Sequence, residues 1–168
     1  PCHDDTYGDL AVRFERTEAG WIVFRVESKG KSHTIAASLV FNPFPAFFKW
    51  LEDILDGEML IQWFIDREGT VHRLIYSQIP REVEVVSDGD GILLVLENQE
   101  IFSDEMLHEQ TLQINVDPLT LVRTFYVAFR DFVTSDRFDA NRWFWMARAK
   151  TEEENRAYAD GWRSKKVE

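Results

Sequence analysis

A single cysteine in 168 residues excludes an internal disulfide, and Cys2 stands in a polar terminus where no functional role is expected for it. No stretch approaches the roughly 18 apolar residues that a membrane-spanning helix needs. Pro1 to Asp5 carry neither the basic start nor the apolar block of a secretory signal. A cytoplasmic protein without a membrane partner is the expectation. With five prolines and eight glycines, the chain has no Pro/Gly/Ser linker, and it shows neither repeats nor low-complexity segments. Its length suits one hydrophobic core. A single domain over 1–168 is expected, with a core at about 10–135 and a C-terminal tail at 136–168.

The most informative absence is of positive charge. Between Glu82 and Val122 there is no Lys or Arg, against ten acids: Glu82, Glu84, Asp88, Asp90, Glu97, Glu100, Asp104, Glu105, Glu109 and Asp117. This span accounts for almost all of the formal net charge of -11. The acids are interleaved with Val, Ile and Leu at strand-like spacing, which predicts a folded acidic face. Such a face attracts cationic partners and repels nucleic acid and anionic membrane. The tail differs: residues 136–168 hold seven acids and eight bases, and three of the six tryptophans lie in it. Arg142, Trp143, Phe144, Trp145 and Met146 open it, and either core packing or an interface accounts for such a cluster.

Val12 and Phe14 alternate with Arg13 and Glu15, and after a turn at Thr17 to Gly20, Ile22, Phe24 and Val26 alternate with Val23, Arg25 and Glu27, a hairpin signal. A third strand is predicted at Thr34 to Phe41, with Ile35, Ala37, Leu39 and Phe41 on one face. Asn42 and Pro43 read as an N-cap and first helical residue. Phe44, Phe47, Phe48, Leu51 and Leu55 follow at helical spacing, and Gly57 stops the helix. Strands are predicted at Met59 to Asp66, Val71 to Ser77, Glu82 to Ser87, Ile92 to Glu97 and around Leu112 to Val116. The strand from Met59 is apolar on both faces and is expected to be central in the sheet. Asp117 and Pro118 repeat the helix-opening pair, and Leu119, Val122, Tyr126, Phe129 and Val133 form an apolar stripe. The fold class is α+β: an antiparallel meandering sheet of about seven to eight strands, two helices packed on one face, and an aromatic, partly helical C-terminal tail.

Tests for chemistry return little. Asp88, Gly89, Asp90 and Gly91 resemble a calcium loop, but Ile92 and Gln99 fall where oxygen ligands are required. A hairpin turn in which glycine supplies positive φ explains them instead. Gly30, Lys31 and Ser32 lack the upstream glycine of a phosphate loop, since that position is Arg25. Ser28 and Lys31 have a nucleophile spacing without its companion motifs. His3, His33, His72 and His108 lack paired metal-ligand spacing, so a metal site would have to be assembled across distant segments.

From His33 to Thr134, with Asn42–Pro43 and Asp117–Pro118 opening helices and Gly57 closing one, the chain resembles a class of small bacterial α+β proteins. The resemblance implies a fold and no catalytic residue. The functional expectation is therefore a non-enzymatic acidic protein that engages a basic protein partner, as an immunity protein or secretion chaperone does. Candidate partner-binding residues are Glu82, Glu84, Asp88, Asp90, Trp143 and Trp145. No catalytic residue, cofactor, metal or nucleic-acid partner is expected. The alternatives are a homo-oligomer, and a small-molecule site or enzyme in a cleft lined by residues such as Trp50, Trp63 and Tyr126.

Overall fold

The computed structural model describes residues 9–78, 91–99 and 107–143. Three strands come first: β1 (Ala11–Glu18), β2 (Trp21–Ser28) and β3 (Lys31–Ser38). They form an antiparallel sheet in the order β1-β2-β3. The register of β1 shifts between Phe14 and Arg16. Glu15 is the additional residue, so Phe14 and Thr17, three positions apart, are both buried.

Helix α1 (Phe44–Leu55) follows. It starts one residue later than the sequence predicts, but Asn42 Oδ1 still accepts the Phe44 N–H at 3.2 Å. Gly57, at φ 84°, ends it in the left-handed conformation that glycine adopts without a Cβ penalty. Strands β4 (Leu60–Asp66), β5 (Thr70–Gln78), β6 (Gly91–Gln99) and β7 (Leu107–Val116) then form a second antiparallel sheet in chain order. Helix α2 (Pro118–Val133) opens as expected, with the Asp117 carboxylate accepting the Thr120 N–H at 2.9 Å. A short helix α3 (Ala140–Trp143) follows.

The architecture is α+β, but it has two sheets of three and four strands where the sequence predicts one. Tight turns join β1 to β2, β2 to β3 and β4 to β5, and tight turns impose antiparallel pairing. Between β3 and β4 the connection is a twelve-residue helix, so no hairpin sets those strands side by side. Instead β3 crosses the end of the second sheet. The Ser38 hydroxyl donates to Glu68 in the β4–β5 turn at 3.1 Å, and His33 meets His72 on β5. Nor do both helices lie on one face: α1 packs chiefly on β4 and α2, and α2 chiefly on β1 and α1.

Both sheets and all three helices contribute to one buried cluster dominated by rings. Phe14 stacks on Phe24, Trp63 stacks on Phe24, and Phe129 meets Phe14 edge-on. Trp63 also donates its indole N–H to the Pro43 carbonyl at 2.9 Å, so burying that ring leaves no unpaired polar atom on it.

The third strand ends at Ser38 rather than Phe41, which is exposed. The strand beginning near Met59 is terminal in its sheet, not central. Its inward residues Trp63 and Ile65 are buried, while Leu60, Gln62 and Phe64 face outward and are exposed. The apolar residues on both faces are real, but nothing among the described residues pairs with the outer edge.

Candidate functional site

Of the predicted partner-binding residues, Glu82, Glu84, Asp88, Asp90 and Trp145 lie outside the described residues. Trp143 is described and fully buried, so its side chain is part of the core and not of a partner-binding surface. The physical reason is a dense set of anchors. Trp143 lies edge-on to Phe44 with ring centroids 5.7 Å apart. The Arg142 carbonyl accepts the Gly20 N–H at 2.7 Å, and Arg137 donates to the Phe14 carbonyl at 2.7 Å. The Thr17 hydroxyl donates to the Arg137 carbonyl and accepts the Asp139 N–H, each at 3.1 Å. The start of the tail is thereby tied to the first hairpin.

Trp50, Trp63 and Tyr126, expected at a cleft, are also buried. Trp50 meets Phe125 edge-on and Trp63 fits between Phe24 and Phe47. Gly30, Lys31 and Ser32 run from a two-residue hairpin turn into β3, in which Ser28 pairs with Lys31. No helix follows them to present N–H groups to phosphate.

Within the acidic span, Asp117 serves as the α2 cap. Burial pushes its carboxyl up, but hydrogen bonds from Thr120 and from the Leu119 N–H outweigh that and hold it below the ordinary range. Glu97 occupies β6, where it pairs with His72 on one side and with Glu109 on the other.

Among the described residues, that register creates an assembly of chemistry-bearing side chains that the sequence left unlinked. His72 and Glu97 are direct cross-strand partners on β5 and β6, which puts their side chains on one face of the sheet. His33 reaches the same point from β3 of the other sheet. Its Nε2 lies 3.2 Å from His72 Nδ1 and 3.8 Å from a Glu97 carboxylate oxygen. One ligand atom from each of the three residues lies within 4.8 Å of the others. His72 is 0% exposed, whereas His33 and Glu97 are partly open to solvent. Burial first, then the charges of His33 and Arg67, lowers the His72 pKa from 6.5 to about 4. Its Nε2 is buried and makes no hydrogen bond among the described residues.

Sequence spacing could not reveal this cluster, because 39 residues separate the histidines and the two belong to different sheets. Only the β5–β6 half was accessible in principle, through alternation combined with a correct hairpin register. The chain matches no known protein family, no curated protein and no solved structure.

Proposed function

We propose that this is a non-enzymatic binding protein whose partner is a basic protein, received along β4 with the acidic span supplying long-range attraction. The observation that carries the reading is the outer face of β4. Leu60 is 71% exposed and Phe64 40% on a strand that ends its sheet, and Met59 just before it is 55% exposed. A terminal strand offers unpaired N–H and C=O groups, and added strands are a recurring means of peptide recognition. Acids on the segment leading into it favour a basic partner, while Arg73 packs its guanidinium over the Phe64 ring 5.7 Å away. Residues 50–66 contain five acids and no base, and Leu55 to Leu60 is continuously exposed, with Asp56 and Glu58 among three apolar side chains. An extended segment alternating apolar and basic residues complements both features.

The test uses synthetic extended peptides in which apolar residues alternate with Lys or, in a matched series, with Glu. Association is followed by fluorescence anisotropy. The basic series should bind, and its on-rate should fall as salt rises. Replacing Leu60 with Asn and Phe64 with Ser should weaken binding about tenfold or more. Reversing charge at Glu82, Glu84, Asp88 and Asp90 should slow association and flatten its salt dependence. Equal affinity for the acidic peptides, or unchanged affinity in the β4 double variant, refutes the reading. The same open edge favours one alternative, pairing of β4 with β4 of a second copy. A light-scattering mass of two chains that reverts to one on Leu60→Asn would select it.

A further inference from the structure

We propose that His33, His72 and Glu97 form a binding site for one divalent transition-metal ion of the zinc class, which fastens the two sheets together where β3 crosses the second sheet. The donor set is the first argument. Two imidazoles and one carboxylate make up a recognised three-ligand zinc set, leaving a fourth position for water. Imidazole donors also disfavour magnesium and calcium, which take oxygen ligands.

Geometry is the second argument. Zinc bonds of about 2.0–2.2 Å in a tetrahedron place ligand atoms about 3.4 Å apart. Two of the three separations, His33–His72 at 3.2 Å and His33–Glu97 at 3.8 Å, bracket that value, and the third, His72–Glu97, lies within 4.8 Å and closes as the ion binds. His72 and Glu97 are held by adjacent paired strands, so two of the three ligands are positioned by backbone hydrogen bonds alone. The third, His33, sits in β3, paired throughout its length with β2. Little ordering of the chain is left for the ion to impose.

The third argument is the imbalance of donors and acceptors. A neutral His33–His72 pair at 3.2 Å shares a single proton between two ring nitrogens, and Glu97 adds a further acceptor on the same side. Three lone-pair donors converging at a partly buried point favour a cation between them. Partial exposure of Glu97 gives that ion a way in. The site is independent of the β4 face, so either proposal can fail alone.

The experiment titrates Zn²⁺ into metal-free full-length protein by calorimetry at neutral pH. The protein carries Cys2→Ser and His3→Gln, which removes terminal ligands. One ion per chain is expected, together with a rise in melting temperature that Mg²⁺ and Ca²⁺ do not produce. Co²⁺ should give the intense visible bands of a four-coordinate ion. Since His72 variants risk unfolding, the decisive substitutions are the partly exposed His33→Gln and Glu97→Gln. Each must keep the wild-type circular dichroism, and each should weaken binding at least about tenfold. No heat and no melting shift with Zn²⁺ in the parent protein overturns the proposal. Zinc affinity unchanged in both folded variants overturns it equally.

Discussion

Gly91 opens β6 opposite Gln78 and Val116, and its importance lies in what it omits. A Cβ there would stand 2.2 Å from the Tyr76 hydroxyl oxygen and 2.3 Å from the ring carbon that bears it. Tyr76 has no room to retreat: it is fully buried and donates to the Val116 carbonyl at 2.8 Å. Burial, and then the Asp117 charge, pushes its hydroxyl well above the ordinary phenol range, so it stays protonated as a donor. Gly91→Ala should therefore destabilise the protein by about 2–3 kcal/mol through overpacking and loss of that hydrogen bond. Urea unfolding measures it, and a loss below about 0.5 kcal/mol would show that the ring relocates freely. In the sequence this glycine reads as part of a turn, because spacing reveals that a position lacks a side chain and not what fills the space.

At the same scale, His72 sets a pH dependence. Its pKa is near 4 when folded and 6.5 in the unfolded chain, so the unfolded state binds the proton more readily. The contribution to stability is fully present above pH 6.5 and is lost as pH falls toward 4. With the metal removed by chelator, stability should drop by about 2 kcal/mol between roughly pH 6.5 and 5, where most carboxylates remain ionised. Burial dominates the effect, and the charges that add to it are those of His33 and Arg67, with Glu97 opposite on the paired strand. Chemical denaturation across that interval gives the slope, and a flat profile would contradict it.

Among the elements, helices were the most legible. Asp117 caps α2 as its sequence implies, and Gly57 closes α1, because capping is local chemistry carried by two or three residues. The strands were legible as elements but not in their placement. Leu60, Trp63 and Phe64 supply an apolar signal on both faces of β4 whether the second face meets another strand or a partner, and alternation cannot distinguish the two. The distinction predicts how substitutions behave. Leu60→Asn with Phe64→Ser should change monomer stability by less than about 1 kcal/mol, since neither side chain belongs to the core. Trp63 on the same strand is fully buried against Phe24 and Phe47, and truncating it to Ala should cost about 3–5 kcal/mol. Thermal or urea unfolding of the two variants side by side tests whether the faces of β4 are as unequal as the geometry requires.

For the whole molecule, two sheets with no ladder between them among the described residues share one aromatic core, and a polar junction at His33, His72 and Glu97 joins them at their crossing. Composition foretold the core, since an aromatic-rich chain of this length can bury one. Topology was hidden because the two-sheet arrangement depends on how α1 redirects the chain after Ser38. Charge is the property for which the sequence alone suffices. A net charge of -11, concentrated in the base-free stretches at 50–66 and 82–122, opposes the phosphate backbone. Phosphate contacts provide essentially all non-specific affinity for DNA and require clustered Lys or Arg. The C-terminal bases Arg142, Arg148, Lys150, Arg163, Lys165 and Lys166 are interrupted by Glu152, Glu153 and Glu154. Random-sequence duplex DNA should therefore show no micromolar binding near physiological salt in a filter-binding or anisotropy assay. If binding does occur and survives deletion of residues 144–168, the acidic body itself must contact phosphate, and the charge argument for a basic partner along β4 falls with it.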